Sequence, residues 1–214
     1  MQDFITDLDA YFCEKYANYD KICILPNYRM PTMQASKVDD FGRTYAYTLP
    51  SNTMRLALQE NKEELLKALK EKMFDKTFSF SFKPLGFFAR LRNKFSKKSS
   101  FLLAFKKVAE KYNIKIEEAG QETSVEQEIW KNICKGNYLP TKNLIFTLAL
   151  TLHLSMEDTQ TLLYYCSYCF DYASVKDVVV AYLLEQKVFN PLMMESALSE
   201  YKVKNLFFKE SAQA

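Results

Sequence analysis

Apolar positions recur every three or four residues along most of the chain and alternate in twos only over short runs. That pattern predicts a mainly α protein, α+β overall because of a small α+β start. Phe4, Ile5, Leu8, Tyr11, Phe12 and Tyr16 form one stripe of an amphipathic helix over residues 2–19. The run from Ile22 to Leu25, stopped by Pro26 and Asn27, reads as a strand; residues 28–41 read as irregular, and Thr44 to Leu49 as a second strand. Ser51 is placed to cap a long helix to about residue 74, in which Met54, Leu58, Leu65, Leu66 and Leu69 keep the helical period. Glu63 and Lys67 add an i,i+4 pair on its polar face. Phe78, Phe80 and Phe82 then alternate with other residues, as in a third strand. Residues 1–82 are therefore expected to form an N-terminal α+β domain.

Pro84 and Gly86 break the pattern, and residues 83–99 read as a basic amphipathic connector. Phe87, Phe88, Leu91 and Phe95 share one side of it, ringed by Arg90, Arg92, Lys94, Lys97 and Lys98. Helices are expected at 101–112 and 114–122. The stretch from Ser124 to Leu154 organises the rest of the chain. Ser124 and Gln127 have capping-box spacing, which starts a helix near Val125. Val125, Ile129, Trp130 and Ile133 make its buried stripe, leaving Gln127, Glu128, Lys131, Asn132 and Lys135 on the other face. Gly136 ends it. Pro140 and Thr141 introduce a helix whose Leu144, Ile145, Leu148, Ala149 and Leu152 face inward, and Ser155 with Asp158 repeats the capping pattern before residues 159–170. Residues 100–170 thus predict a five-helix helix-turn-helix bundle. Ser174 with Asp177, and Asn190 before Pro191, start two more helices in a C-terminal helical extension over 171–214. Those two are apolar enough to need a covering surface, either the bundle or a second subunit of a homodimer.

Charge is unevenly spread. Residues 83–111 hold nine basic and one acidic side chain, against eleven and twelve in 1–82 and nine and thirteen in 112–214. The basic stretch could dock its aromatics on a neighbour, follow a phosphate backbone, or lie on an anionic membrane. The start of the chain is acidic and amphipathic, unlike a signal peptide. Its longest strongly apolar run, Leu144 to Leu154, is about half of the roughly 20 residues a membrane helix needs. No membrane insertion and a cytoplasmic location are expected.

Five cysteines, an odd number set in helical patterns, suit reduced thiols. Cys166 and Cys169 form a C-x-x-C, but a structural zinc takes about four ligands, and His153 is the only histidine. Both thiols are expected to be small core residues, with no metal or cofactor. The sequence has no glycine-rich phosphate loop, no H-E-x-x-H and no G-x-S-x-G, and Asp39 and Asp40 near Arg43 suit a solvated loop. An enzyme is not expected.

The Ala119–Gly120 pair, the Val125, Trp130 and Ile133 stripe, Lys135–Gly136, Pro140–Thr141, Ala149, Leu150, Leu152, Ser155 and Leu162–Leu163 resemble the Cro/C1-type helix-turn-helix proteins of phages and bacteria. More closely, Pro140–Thr141–Lys142, Leu152, Leu154, Glu157, Thr159, Leu162–Leu163, Tyr168, Ser174, Asp177 and Tyr182 look like a group of largely uncharacterised bacterial proteins that add a C-terminal helical pair. The similarity covers roughly residues 100 to 200. It implies double-stranded DNA as partner, with the helix near 125–135 in the major groove. Gln127, Glu128, Lys131 and Asn132 would then contact bases, and Arg90, Arg92, Lys94, Lys97, Lys98, Lys135 and Lys142 the DNA backbone.

Two candidate functions emerge. The first is a bacterial or phage-type DNA-binding transcriptional regulator. The second is a non-enzymatic protein-interaction module on a helix-turn-helix scaffold that has lost DNA binding, suggested by Glu126 and Glu128, since carboxylates facing phosphates repel them.

Overall fold

Local start and stop signals set most of the architecture. The computed structural model describes residues 2–29, 32–50, 59–73, 82, 84–88 and 101–209. Its elements are α1 (Gln2–Lys15), α2 (Tyr19–Ile22), β1 (Thr32–Val38), β2 (Thr44–Pro50), α3 (Lys62–Lys72), α4 (Phe101–Lys111), α5 (Ile116–Ala119, continued by a 3-10 turn Gly120–Glu122), α6 (Gln127–Cys134), α7 (Lys142–Thr151), α8 (Met156–Tyr165), α9 (Val175–Glu185) and α10 (Pro191–Glu200). The fold is mainly α: an α+β start, the bundle α4–α8, and the extension α9–α10. Among the described residues no helix is long and apolar enough to cross a membrane.

Four expected caps form. The side chains of Thr141, Ser155, Ser174 and Asn190 accept hydrogen bonds from first-turn amides of α7, α8, α9 and α10, and Pro191 opens α10.

The N-terminal expectations need correction in four places. Helix α1 stops at Lys15, before residue 19, because the chain turns to pair with a distant segment: Ala17 N donates to Tyr172 O at 3.0 Å and Asn18 Nδ2 to Ala173 O at 3.1 Å. The expected strand Ile22–Leu25 is instead a helical turn and its exit, since Asn18 caps α2 and both Ile22 and Leu25, three apart, are buried. The supposedly irregular stretch contains β1, which pairs antiparallel with β2 from Thr32↔Pro50 to Val38↔Thr44. TMQASKV has little strand character of its own, and the pairing supplies it. Asp39 builds the turn, its Oδ1 accepting from Phe41 N at 2.9 Å and Arg43 N at 2.8 Å, with Gly42 at φ 77°. The long helix begins at Lys62; Ser51, Met54 and Leu58 lie outside the described residues, as does the third strand except Phe82.

Helix α9 lies at the centre. Nine successive residues, Lys176 to Leu184, are buried, and α1, α7, α8 and α10 pack against it. Tyr182 meets Phe4 at 5.9 Å and Tyr11 at 5.3 Å between ring centroids. Phe12 stacks between Tyr16 and Tyr201, each 4.6 Å away. A polar cluster closes this junction: Asp9 Oδ1 accepts from Tyr201 Oη at 2.6 Å and Lys70 Nζ at 2.7 Å, and Lys70 also reaches Glu200. The spans 1–82, 100–170 and 171–214 thus share one hydrophobic core.

Asp158 joins α4 to α8. Its Oδ2 accepts from Lys111 Nζ and Tyr112 Oη, both at 2.7 Å, and from Ser155 Oγ at 2.6 Å, while Tyr112 Oη accepts from Ser155 N at 2.8 Å. Burial alone would raise the carboxyl, but the hydrogen bonds from Lys111, Ser155 and Tyr112 outweigh it and hold it below the ordinary aspartate range. A carboxylate with a depressed folded-state pKa stabilises fully above its unfolded value, about 3.9, and progressively less as pH falls through the folded value. Replacing Asp158→Asn is expected to cost about 1.5 kcal/mol at pH 7. In urea titrations the gap to the unmodified protein should close below pH 4; a gap independent of pH would show that charge at Asp158 contributes nothing.

Candidate functional site

Trp130 fixes the helix-turn-helix. Its ring lies over Gly120, where an added Cβ would sit 2.3 Å from indole carbons, so only glycine lets the two elements approach this closely. Its Nε1 donates to Ile116 O at 3.1 Å, and its ring meets Phe105 of α4 edge-on at 6.0 Å. Thr123 Oγ1 donates to Gly120 O at 2.9 Å and closes the 3-10 turn.

The turn itself departs from the expected capping box. Ser124 N donates to Phe207 O at 2.8 Å and Thr123 bridges Phe208, so the C-terminal tail holds residues 123–124 extended. Helix α6 consequently starts two residues late, at Gln127, with Glu126 as an N-cap that makes no side-chain capping bond.

Gln127, Glu128, Lys131 and Lys135 are exposed. Gln127 and Lys131 fall on one side of α6; Glu128, Asn132 and Lys135 lie about 100° round it. Asn132 is half-buried, with both ends of its amide engaged: Nδ2 donates to Glu128 O at 3.0 Å and Oδ1 accepts from Asn137 Nδ2 at 3.1 Å. A bidentate reading of adenine would have to break these bonds. Lys142 corrects the expectation for it. Its ammonium pairs with Asp177, which is 5 % exposed at the start of α9 and also accepts from Asp171 N at 2.7 Å. The same ammonium lies 5.5 Å from the Phe146 ring centroid. Sequence reasoning missed this because the partner lies thirty-five residues away. Arg90, Arg92, Lys94, Lys97 and Lys98 lie outside the described residues. On α4, Lys106 and Lys107 are exposed with no side-chain partner among the described residues, whereas Lys111 is held by Asp158.

The face formed by α5 and α6 is acidic. Glu117, Glu118, Glu122, Glu126 and Glu128 are all exposed, against Lys115, Lys131 and Lys135, and Lys115 already pairs with Glu118 at 2.8 Å. Between the two helices runs a cleft of about 440 Å³, with Val125, Trp130 and Cys134 in its wall and Glu117, Gln127, Lys131 and Lys209 in its polar lining. Burial, then Glu117, pushes the Cys134 thiol up to about 11, so it stays protonated. The sequence signal for this cleft was the row Gln127, Lys131, Cys134 at helical spacing opposite a glycine.

The C-x-x-C splits. Cys166 is buried, its thiol pushed up to about 12 by burial, whereas Cys169 is exposed, so only the first joins the core as expected. Among the described residues no three His, Cys, Asp or Glu side chains gather as metal ligands. His153, at φ 54°, stacks on Phe189 at 4.5 Å. No protein-family model, curated protein or solved structure matches the chain.

Two outcomes test this geometry. Lys142→Met leaves the Asp177 carboxylate buried without its cation and is expected to destabilise by about 3 kcal/mol, read as a shifted denaturant midpoint; an unchanged midpoint would return Lys142 to the solvent-facing cations. With a chromogenic disulfide reagent at pH 8, Cys23 and Cys169 should react first and Cys13 and Cys166 roughly a hundredfold more slowly until denaturant is added. Equal rates for Cys166 and Cys169 would place both thiols at the surface.

Proposed function

We propose that this chain is a non-enzymatic protein-interaction module of the cytoplasm, built on a Cro/C1-like helix-turn-helix scaffold whose α5–α6 face docks a lysine- and arginine-rich segment of a partner protein. The observation that carries this is the charge of that face: α5, its 3-10 turn and the start of α6 carry five exposed carboxylates beside a cleft walled by Val125, Trp130 and Cys134, whose own charged lining is Glu117, Lys131 and Lys209. Apolar surface at the centre with charge at the rim is the arrangement of a protein interface. On a phosphate backbone the same rim would be repelled, and neither Lys142 nor Asn132 is free to offset it.

A second reading, a DNA-binding transcriptional regulator, is favoured by the excess of basic residues over 83–111, of which Lys106 and Lys107 stand exposed on α4. Fluorescence anisotropy separates the two. A labelled lysine- and arginine-rich peptide is expected to bind and to lose about tenfold in affinity when Glu126→Lys and Glu128→Lys are combined, mostly through a slower association rate. Duplex DNA should bind only at low salt and without sequence preference, and charge reversal at Lys94, Lys97 and Lys98 should flatten that salt dependence. Sequence-selective DNA binding at physiological salt, lost in the Gln127→Ala, Asn132→Ala double variant, would replace the interaction module by the regulator.

A further inference from the structure

A second concavity lies away from the helix-turn-helix, where the exit of α1, α2, the end of α3, the start of α9 and the turn after α10 come together. It is a cavity of about 260 Å³, room for roughly nine water-sized groups at about 30 Å³ each. Its apolar wall is contributed by Tyr16, Leu69, Met73 and Tyr201, all buried. Four lysines complete the lining, Lys21, Lys72, Lys176 and Lys202, and no carboxylate side chain is among the lining residues.

The four lysines differ in how the fold engages them. Lys21 and Lys72 are exposed, with no partner for either ammonium among the described residues. Lys202 Nζ donates to a backbone carbonyl, Glu71 O, at 3.2 Å. Lys176 is 5 % exposed and reaches Asn143 Oδ1 at 3.2 Å. Tyr16 adds a neutral donor. It is 2 % exposed and lines the cavity, yet its hydroxyl has no hydrogen-bond partner among the described residues. A bound acceptor would give this donor a partner. Ser174 and Val175, at the start of the eleven-residue α9, bring the positive end of that helix to the same wall.

An apolar wall with several cations and one neutral donor selects a particular chemistry. Neutral apolar molecules would leave the ammonium groups unanswered, and small hydrated anions would leave the apolar wall unfilled. We propose that this cavity binds an organic anion with an apolar body of about eight carbons, its charged head held by Lys21 and Lys72 and its body against Leu69, Met73 and Tyr201. The site is separate from the α5–α6 face, so it stands whether that face takes a protein or DNA. Because Tyr16 and the α9 start belong to the same packed junction as α1 and α3, a ligand here would also brace the N-terminal helices against the C-terminal pair.

Titration calorimetry on the full chain tests it with octanoate, octyl phosphate, octan-1-ol and acetate. Octanoate or octyl phosphate is expected to bind at least tenfold more tightly than octan-1-ol or acetate, and the preferred one of the two anions identifies the head group. Lys21→Gln with Lys72→Gln should weaken that anion about tenfold while leaving the melting temperature of the free protein unchanged, since neither ammonium is engaged. Tyr16→Phe should weaken it severalfold, and Ala173→Leu, which fills the wall, should abolish it. No binding of either anion at millimolar concentration would overturn the proposal, as would affinity equal to that of octan-1-ol or affinity unchanged in the double lysine variant.

Discussion

Helix α9 is buried around its whole circumference by a run of mostly apolar residues, and a helix of that kind is stable only when protein covers every side of it. Val178, Val179, Val180, Ala181, Leu183 and Leu184 are each at most 2 % exposed, and a buried valine or leucine contributes about 1.5–3 kcal/mol. The cover comes from distant parts of the chain: α1 from the N-terminus, α7 and α8 from the bundle, α10 from the tail. This requirement draws the first helix and the last pair into one core. It also brings two charged residues, Lys176 and Asp177, into the buried stretch, and Asp177 is tolerated there because Lys142 and Asp171 N meet its carboxylate.

Where a structural decision rests on neighbours within four residues, the sequence displayed it. Thr141, Ser155, Ser174 and Asn190 each act on amides of their own first turn, so the side chain that caps and the helix it caps are read together. Ser124 carries the same local signal and fails, because a tail residue more than eighty positions away takes its amide. Strand β1 is the converse case. Its own residues say little, and its partner strand makes it a strand. The turn after α1 likewise depends on Tyr172 and Ala173, which no window around residue 17 contains.

The candidate site divides along the same line. That Gln127, Glu128 and Lys131 point to solvent follows from helical periodicity and was legible. Whether an exposed or half-exposed polar group is available is a different question, since a sequence counts charges and amides without showing which are already paired. Asn132 and Lys142 have the right chemistry for nucleic acid, and both are spent inside the protein. The cleft beside Trp130 was legible only in part: the row Gln127, Lys131 and Cys134 follows helical spacing, but the cleft's shape depends on how closely α5 and α6 approach, which is set where the indole ring packs on Gly120.

The scaffold and its surface obey separate constraints, and that separation makes a change of partner possible. The geometry of α5 and α6 is set by Trp130, Gly120, Phe105 and the Ile116 carbonyl, all of them inside or under the face. None of these contacts depends on the sign of charge outside. Exposed side chains away from such contacts alter stability by roughly 0.5 kcal/mol or less, so glutamates can gather at positions 117, 118, 122, 126 and 128 without loosening the turn. For the proposed binding, the same glutamates carry the argument. DNA presents about one negative charge per 1.7 Å of its axis, whereas the proposed basic segment would be steered toward this face and would seat an apolar side chain beside Trp130. The proposed partner is therefore dictated by the charge on the surface, while the helix-turn-helix shape is dictated by the packing beneath it.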